Sequence, residues 1–341
     1  MHQAVEIHNP LKGGQLDRQE IEIRLDPLTG HQSILSGALK GKTSILFPET
    51  DYSYVQQRIE DTKDQCFMCN GKWRKTTPRY PEHLIPGGRI TRGETALFPN
   101  LYALAPYHAV VMIGEKHGRA LDDFSTSLLY DAFSISMEFI RSCFKVDPEA
   151  CYFTINANFM FPAGGSAVHP HLQIVGSSFP TTHHRLLLEK SLAYYSANGS
   201  CYWLDLIETE RQTGQRWLGE IGESRWLTAF SPMGVNEVNA VWPKASNFLE
   251  WDDNDIQALA EGIRRALLTY HDLKFSTFNY SCFSGHLGQP DPAFRCFLRL
   301  VNRQNINLHY RTDDYFLQKL LENEIIIYRP EHLASLIKER F

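Results

Sequence analysis

Ala103-Leu-Ala-Pro106 leads into the apolar run Ala109-Val-Val-Met-Ile113, and much later Ala229-Phe-Ser-Pro232 leads into Val238-Asn-Ala-Val-Trp242. The first run is followed by Glu115-Lys-His117, the acidic pair Asp122-Asp123 and a helical segment of about 20 residues. The second is followed by Pro243-Lys-Ala, Asp252-Asp253 and another helical segment through about Tyr270. Each helix then gives way to a β-like stretch, Cys151-Tyr-Phe-Thr-Ile-Asn156 in one copy and Ser276-Thr-Phe-Asn-Tyr280 in the other. Asp122 and Asp123, and later Asp252, Asp253 and Asp255, stand where the helix dipole favours acids. Ile256, Leu259, Ile263 and Leu267 recur at helical spacing. Each copy reads strand, strand, long helix, strand, strand. That is an α+β unit of antiparallel strands with one long helix on a face, and two in tandem account for most of the chain.

The 341 residues are 43% hydrophobic and 21% charged, an ordinary globular composition. A net charge of −5 gives no field for nucleic acid or an anionic membrane. The N-terminal MHQAVEIHNPLKGGQLDRQE has no apolar core of a signal peptide, and no apolar run reaches membrane-spanning length. The expected setting is the cytoplasm, with no nucleic-acid or membrane partner. Self-association as a homodimer is allowed by the sequence.

The sharpest local signal is Gly164-Gly-Ser166-Ala-Val-His169-Pro-His171-Leu-Gln173-Ile-Val175. Residues 168–175 read as a strand, so the two-residue period puts His169, His171 and Gln173 on one face. Val168, Leu172 and Ile174 then face a core. Pro170 cannot donate to a ladder, which places it at an edge or an irregularity. A row of hydrogen-bonding side chains needs a polar partner. Phosphate fits, because Gly164-Gly-Ser166 brings backbone N–H groups close to it. Imidazole is largely unprotonated at neutral pH and can attack an α-phosphorus, giving a phosphoramidate and dividing one transfer into two displacements.

Cys66-Phe-Met-Cys69 has the spacing of half a tetrahedral zinc site. His117 and His169 are candidates for the other half, and two Cys with two His make a closed structural set. Without a secretion signal this reading is preferred to disulfides or to a pair of buried free thiols. Cys143, Cys151, Cys201, Cys282 and Cys296 read as small buried hydrophobes.

Together these residues resemble the galactose-1-phosphate uridylyltransferase family, a branch of the histidine-triad superfamily. The family's His-Pro-His-x-Gln motif is intact at 169–173. Arg24-Leu-Asp-Pro-Leu-Thr-Gly30 is similar to its N-terminal motif, and Phe98-Pro-Asn100-Leu-Tyr102 to its nucleoside-contacting stretch. Glu115-Lys-His117 is similar to the segment that supplies a zinc histidine, and Asn156-Ala-Asn158 through Ser166 to the phosphate loop. The resemblance implies an α+β fold of two tandem histidine-triad-like units, antiparallel sheets each with a long helix. Residues 1–195 would carry the zinc site and nucleophile, and residues 196–341 a degenerate second unit. It implies His171 as nucleophile with Gln173 beside it, and Cys66, Cys69, His117 and His169 as zinc ligands. It implies Asn158, Ser166 and Gln173 on the phosphates, and Phe98 and Asn100 on the nucleoside. The partners would be a nucleotide sugar and a phosphate acceptor.

Gln173 stands where histidine-triad hydrolases have a third histidine. A carboxamide cannot act as an acid, but it can hold a phosphoryl oxygen. It suits reactions in which leaving group and acceptor are both phosphates. The chain departs from the family elsewhere. Asp313, Gln318 and Lys319 align with its hexose-phosphate residues, and Lys40 and Lys42 stand in for a missing arginine pair. Only His286 remains of a second metal set, so none is expected there. His183-His184 reads as surface. Arg295, Arg299 and Arg303 read equally as acceptor ligands or as a solvated face, and the tryptophans Trp203, Trp217, Trp226, Trp242 and Trp251 as core. The expected activity is nucleotidyl transfer of UMP or AMP with ping-pong kinetics. The alternatives are a phosphorylase using inorganic phosphate on a nucleoside-diphosphate sugar or dinucleoside polyphosphate, or a non-catalytic zinc-stabilised binding protein.

Overall fold

A computed structural model describes residues 1–42, 47–308 and 315–341, with side chains given outside 40–46 and 309–315. Lys40, Lys42 and Asp313 therefore lie outside the described side chains. Strands β1 (His2–Asn9), β2 (Gln15–Leu25) and β3 (Gln32–Ser36) form an antiparallel group near the N-terminus. Ten further strands make one continuous sheet: β4 (Ile90–Arg92), β5 (Thr95–Pro99), β6 (Tyr107–Met112), β7 (Tyr152–Phe159), β8 (His171–Ser177), β9 (Trp217–Ile221), β10 (Ser224–Thr228), β11 (Val235–Val241), β12 (Phe278–Phe283) and β13 (Phe297–Asn302). The last strand, β14 (Asn323–Ile326), returns to pair in parallel with β3.

The large sheet is antiparallel, in the order β4-β5-β6-β8-β7-β12-β13-β11-β10-β9. The series β5-β6-β8-β7 recurs in mirror order as β12-β13-β11-β10, and the two halves meet where β7 pairs with β12. The two expected units therefore share one sheet rather than two. The helices are α1 (Tyr52–Lys63), α2 (Trp73–Thr76), α3 (Thr126–Val146), α4 (Thr182–Asn198), α5 (Tyr202–Thr213), α6 (Asp253–Asp272), α7 (Tyr315–Leu320) and α8 (Pro330–Ile337). None among the described residues is long and apolar enough to cross a membrane.

Helices α3 and α6 are the long helices of the two copies. The capping of α6 follows the expectation: Asp252 accepts from the Asn254 and Asp255 amides, and the Asp255 carboxylate accepts from the Asp252 amide. That of α3 does not. Asp122 and Asp123 lie in a preceding 3₁₀ turn, and Ser125 caps the helix by accepting from the Leu128 amide. A serine hydroxyl one residue before the first apolar turn satisfies an orphan N–H directly, which an acid further upstream cannot. Both helices bury an apolar stripe against the sheet face that carries Leu97, Val111, Ile155, Leu172, Ile174, Leu298 and Leu300. Gly262 in α6 lets that helix seat on Trp226. A Cβ there would come within 1.9 Å of the indole.

Register decides what occupies the opposite face. Phe98 pairs with Val110, Val110 with Gln173, Gln173 with Asn156, Asn156 with Ser281 and Ser281 with Arg299, so all six side chains project to one side. In the second unit this face is covered. Phe283, Phe294 and Phe297 pack with Leu187, Tyr202, Trp203 and Ile207 of α4 and α5. Phe297, first residue of β13 as His171 is of β8, stacks on Trp203 at 4.2 Å. In the first unit the same face is open at a cavity.

The covering helices overturn the surface reading of His183-His184. His184 is buried, with Nε2 2.6 Å from the Ser284 carbonyl, and His183 Nε2 accepts from Arg299 at 2.9 Å. The reason is that α4 lies on the sheet instead of on the surface, which a local dipeptide does not reveal. Of the tryptophans, Trp203, Trp226, Trp242 and Trp251 are buried and Trp217 packs against the cluster around Trp203 and Phe297. The seven cysteines are all free and buried. Arg24 of the N-terminal motif is buried too. It grips Glu331 of α8 through two N–H donors, at 2.8 and 3.1 Å, and Arg216 binds the same carboxylate at 2.9 Å.

Candidate active site

The entry to β8 holds two histidines that face different ways, His169 just before the strand and His171 as its first residue. The ladder begins at His171 rather than Val168, because Pro170 interrupts it and offers only its carbonyl, to the Ile113 amide at 2.9 Å. His169 leaves the row predicted for it. It is wholly buried and turned toward the Cys66–Cys69 turn, while His171 and Gln173 line the cavity.

Cys66, Cys69, His117 and His169 are all buried, and one ligand atom from each lies within 4.8 Å of every other. Cys69 Sγ is 3.2 Å from His117 Nδ1 and 3.4 Å from His169 Nδ1, and Cys66 Sγ is 3.7 Å from His169 Nδ1. A zinc tetrahedron with Zn–S and Zn–N bonds of usual length has S···N edges of about 3.6 Å. Each imidazole is oriented from behind. His169 Nε2 donates to the Gly114 carbonyl at 2.8 Å. His117 Nε2 donates at 3.0 Å to Thr62 Oγ1, whose own proton goes to the Arg58 carbonyl at 2.8 Å. Both Nε2 atoms therefore carry the proton, and both Nδ1 lone pairs face the cysteines. Burial holds His169 down to about 4 against the Gly114 carbonyl, and keeps His117 below the ordinary imidazole value. Burial, reinforced by Cys66, pushes the Cys69 thiol up to about 12. Two imidazoles with inward lone pairs and two cysteine sulfurs, all buried, form a donor set suited to one metal ion.

His171 Nδ1 lies 2.9 Å from the His169 carbonyl, which can only accept. The proton is therefore on Nδ1 and the lone pair on Nε2. Burial, opposed by that hydrogen bond, holds the imidazole below its ordinary value, so it is neutral and nucleophilic at neutral pH. The Cys66–Cys69–His117–His169 cluster thus reaches the His171 imidazole through a single backbone carbonyl.

A cavity of about 440 Å³ opens over His171. Its walls bring together five of the expected residues: Phe98, Asn100, Ser166, His171 and Gln173. Phe67, Met68, Pro78 and Val110 make the rest of its apolar end. Phe98 lies parallel to Trp73 at 6.3 Å and edge-on to Phe67 at 6.4 Å. Asn158 is not among the lining residues. Its Oδ1 accepts from Asn279 Nδ2 at 2.7 Å, and the same amide reaches the Ala163 carbonyl at 2.7 Å, tying β7 and β12 to the loop before Ser166. That loop needs glycine at 165, where a Cβ would meet the Asn158 and Met160 carbonyl oxygens at 2.9 and 3.0 Å.

Gln318 and Lys319 line a different cavity, of about 620 Å³, with His31, His183 and Arg303. Arg299 is held by Glu237 at 2.9 Å, and Arg295 by backbone carbonyls. Neither is a solvated charge. One site residue escaped the sequence reading. His108 on β6 is buried in the wall, with Nε2 2.9 Å from Gln173 Oε1. The signal was there in principle: a polar side chain two residues before Val110 shares the face of Gln173 once β6 is set beside β8.

No protein-family model matches the chain. An uncharacterised protein of Archaeoglobus fulgidus is 29% identical over 336 residues, covering 98% of this chain and 97% of its own. Among solved structures, an ADP-glucose phosphorylase from Arabidopsis thaliana with bound ADP-glucose superposes with a TM-score of 0.69 at 19% identity, over 94% of this chain and 98% of that one. A galactose-1-phosphate-uridylyltransferase-like protein from Arabidopsis thaliana gives 0.68 at 19% identity, over 93% and 98%. A uridylyltransferase gives 0.64 at 19%, over 94% and 98%. The chain has the fold of these proteins along nearly its whole length.

Proposed function

We propose that the protein transfers a nucleoside monophosphate from a nucleotide sugar to a phosphate acceptor, through a covalent bond to His171, with ping-pong kinetics. The observation that carries this is one cavity lined by His171, whose lone pair is on Nε2, by the Gln173 carboxamide and by the aromatic rings of Phe67 and Phe98. In the first half-reaction Nε2 forms an N–P bond to the α-phosphorus. The P–O bond to the leaving sugar phosphate breaks, and its electron pair leaves on that oxygen. The proton stays on Nδ1, and its hydrogen bond to the His169 carbonyl steadies the developing imidazolium. In the second half-reaction an acceptor phosphate oxygen displaces the imidazole.

Phe98, Phe67, Met68 and Val110 form the surface for the nucleoside, with Asn100 at its edge. Ser166 and Gln173 take the phosphoryl oxygens, and Asn158 backs the loop that presents Ser166. Gln173 cannot protonate a leaving group, and both exchanging groups are phosphates that need little protonation. We assign zinc to Cys66, Cys69, His117 and His169. With four protein ligands it would act by holding the strand start in place, not by activating water. We place the nucleotidyl unit in residues 1–195 and the degenerate unit in residues 196–341. Seven free cysteines agree with a reducing compartment, and we place the protein in the cytoplasm.

A second reading, a phosphorylase with inorganic phosphate as acceptor, is favoured by one observation. Gln318 and Lys319, expected at a hexose phosphate, line a cavity other than that of His171. On either reading galactose 1-phosphate is a poor acceptor. The test is incubation with UDP-glucose, UDP-galactose and ADP-glucose, followed by intact-protein mass. One donor should add a single nucleoside monophosphate, acid-labile and alkali-stable, that His171→Ala abolishes. Discharge by sugar 1-phosphates and by inorganic phosphate then separates the two readings. Turnover that persists in His171→Ala removes both.

A further inference from the structure

The Gln173 carboxamide can help a phosphoryl group in only one of its two orientations. A phosphoryl oxygen accepts hydrogen bonds, so the NH₂ end must face it. The reverse orientation sets a carbonyl lone pair against an anion. The structure shows what makes the choice. The Leu104 amide donates to His108 Nδ1 at 3.0 Å, so that nitrogen carries the lone pair and Nε2 carries the proton. His108 Nε2 then donates to Gln173 Oε1 at 2.9 Å. A second donor converges on the same oxygen. The Tyr102 amide donates to Asn100 Oδ1 at 2.9 Å, which turns Asn100 Nδ2 toward Gln173 Oε1 at 3.5 Å. The 3.2 Å between Asn100 Nδ2 and His108 Nε2 is the approach of two donors sharing one acceptor. Among the described residues none bonds to Gln173 Nε2.

We propose that His108 is a positioning residue for the transfer. Its Nε2–H fixes the Gln173 carboxamide with oxygen toward β6 and NH₂ toward the phosphoryl group at His171. The turn at Asn100–Leu104 sets this polarity, because its Tyr102 and Leu104 amides orient the two donors. A flipped Gln173 would put its NH₂ against Nε2–H and the Asn100 amide, leaving buried donors without acceptors. Burial makes each such unpaired donor unfavourable, so the flipped orientation is disfavoured. His108 is also excluded as the proton source for the leaving group, since its one ring proton is held by an amide oxygen and its lone pair by an amide N–H. The role rests on the reading of His171 as the nucleophile.

The experiment has two arms on the full-length protein. In the first, nucleotidylation of His171 is timed by intact mass for the wild type, His108→Leu and His108→Gln, with binding of the nucleoside monophosphate measured separately. The leucine removes the donor. The glutamine returns an N–H near the position of Nε2. His108→Leu should slow adduct formation at saturating donor by about 10- to 100-fold, with nucleotide affinity within about threefold, and His108→Gln should recover most of the rate. A leucine variant as fast as wild type, or a glutamine variant as slow as the leucine, overturns the role. In the second arm, long-range ¹H–¹⁵N correlation reads the His108 tautomer in the wild type, and needs neither turnover nor a folded variant. The Nε2–H form is expected, and an Nδ1–H form overturns the role alone. A wild type that takes up no nucleotide from any donor, with the expected tautomer, overturns the transferase reading and the positioning role with it.

Discussion

His169 Nε2 lies 2.8 Å from the Gly114 carbonyl, and this bond sets which nitrogen of His169 faces the cysteines. The partner of His117 is Thr62, a side chain rather than a carbonyl, so it can be removed without touching the backbone. Thr62→Val should lower zinc affinity by about 10- to 100-fold, read by competition with a chromogenic chelator. Cys66→Ser should lower both metal content and Tm. A freshly purified protein without metal, whose Tm is indifferent to chelation, contradicts the assignment.

Phe67 is 43% exposed and sits edge-on to Phe98 at the open end of the cavity. Phe67→Ala should weaken nucleoside monophosphate binding by about two- to tenfold, the loss of one aromatic contact, with Tm nearly unchanged. Calorimetric titration measures the first and thermal unfolding the second. An unchanged affinity would move the nucleoside elsewhere.

Glu331 responds to pH through its arginines. Burial raises its carboxyl, but hydrogen bonds from Arg24 and Arg216 outweigh this and hold it at about 2. A carboxylate with a depressed pKa adds stability that is fully present above the ordinary value of 4.5 and is lost as pH falls from there toward 2. Glu331→Gln should therefore lower stability at pH 7, on the order of 1–3 kcal/mol, because two buried guanidinium groups lose a charged acceptor while Arg24 keeps Glu22 and Arg216 keeps Glu210. The difference from wild type should shrink between pH 4.5 and 2. Urea unfolding across that range tests the sign.

Gly262→Ala probes how α6 meets the sheet. The added methyl would overlap Trp226, whose ring is fully buried, so indole or helix must move. A loss of about 1–3 kcal/mol is expected, although alanine is the better helix former. A stability equal to wild type would mean the helix shifts without strain.

The sequence by itself determined the α+β repeat, the Cys-x-x-Cys turn and the His-Pro-His-x-Gln segment. Those rest on short-range physics. The two-residue period of strands, the helical period of Ile256 through Leu267 and the chelating bite of Cys66 and Cys69 are all local. The tertiary structure decided everything that depends on which strands become neighbours. Only pairing of β6 with β8 brings His108 to Gln173, because the two are adjacent across strands and far apart along the chain. Only the joining of β7 to β12 makes one sheet of two units and leaves Asn158 holding Asn279 instead of lining the cavity. The asymmetry of the halves is likewise a packing outcome. Helices α4 and α5 cover the face at Phe297 and bury His184, while the matching face at His171 stays open. A dipeptide such as His183-His184 carries no information about which surface its helix will be laid against, and burial, the quantity that controls imidazole chemistry, is set by that surface.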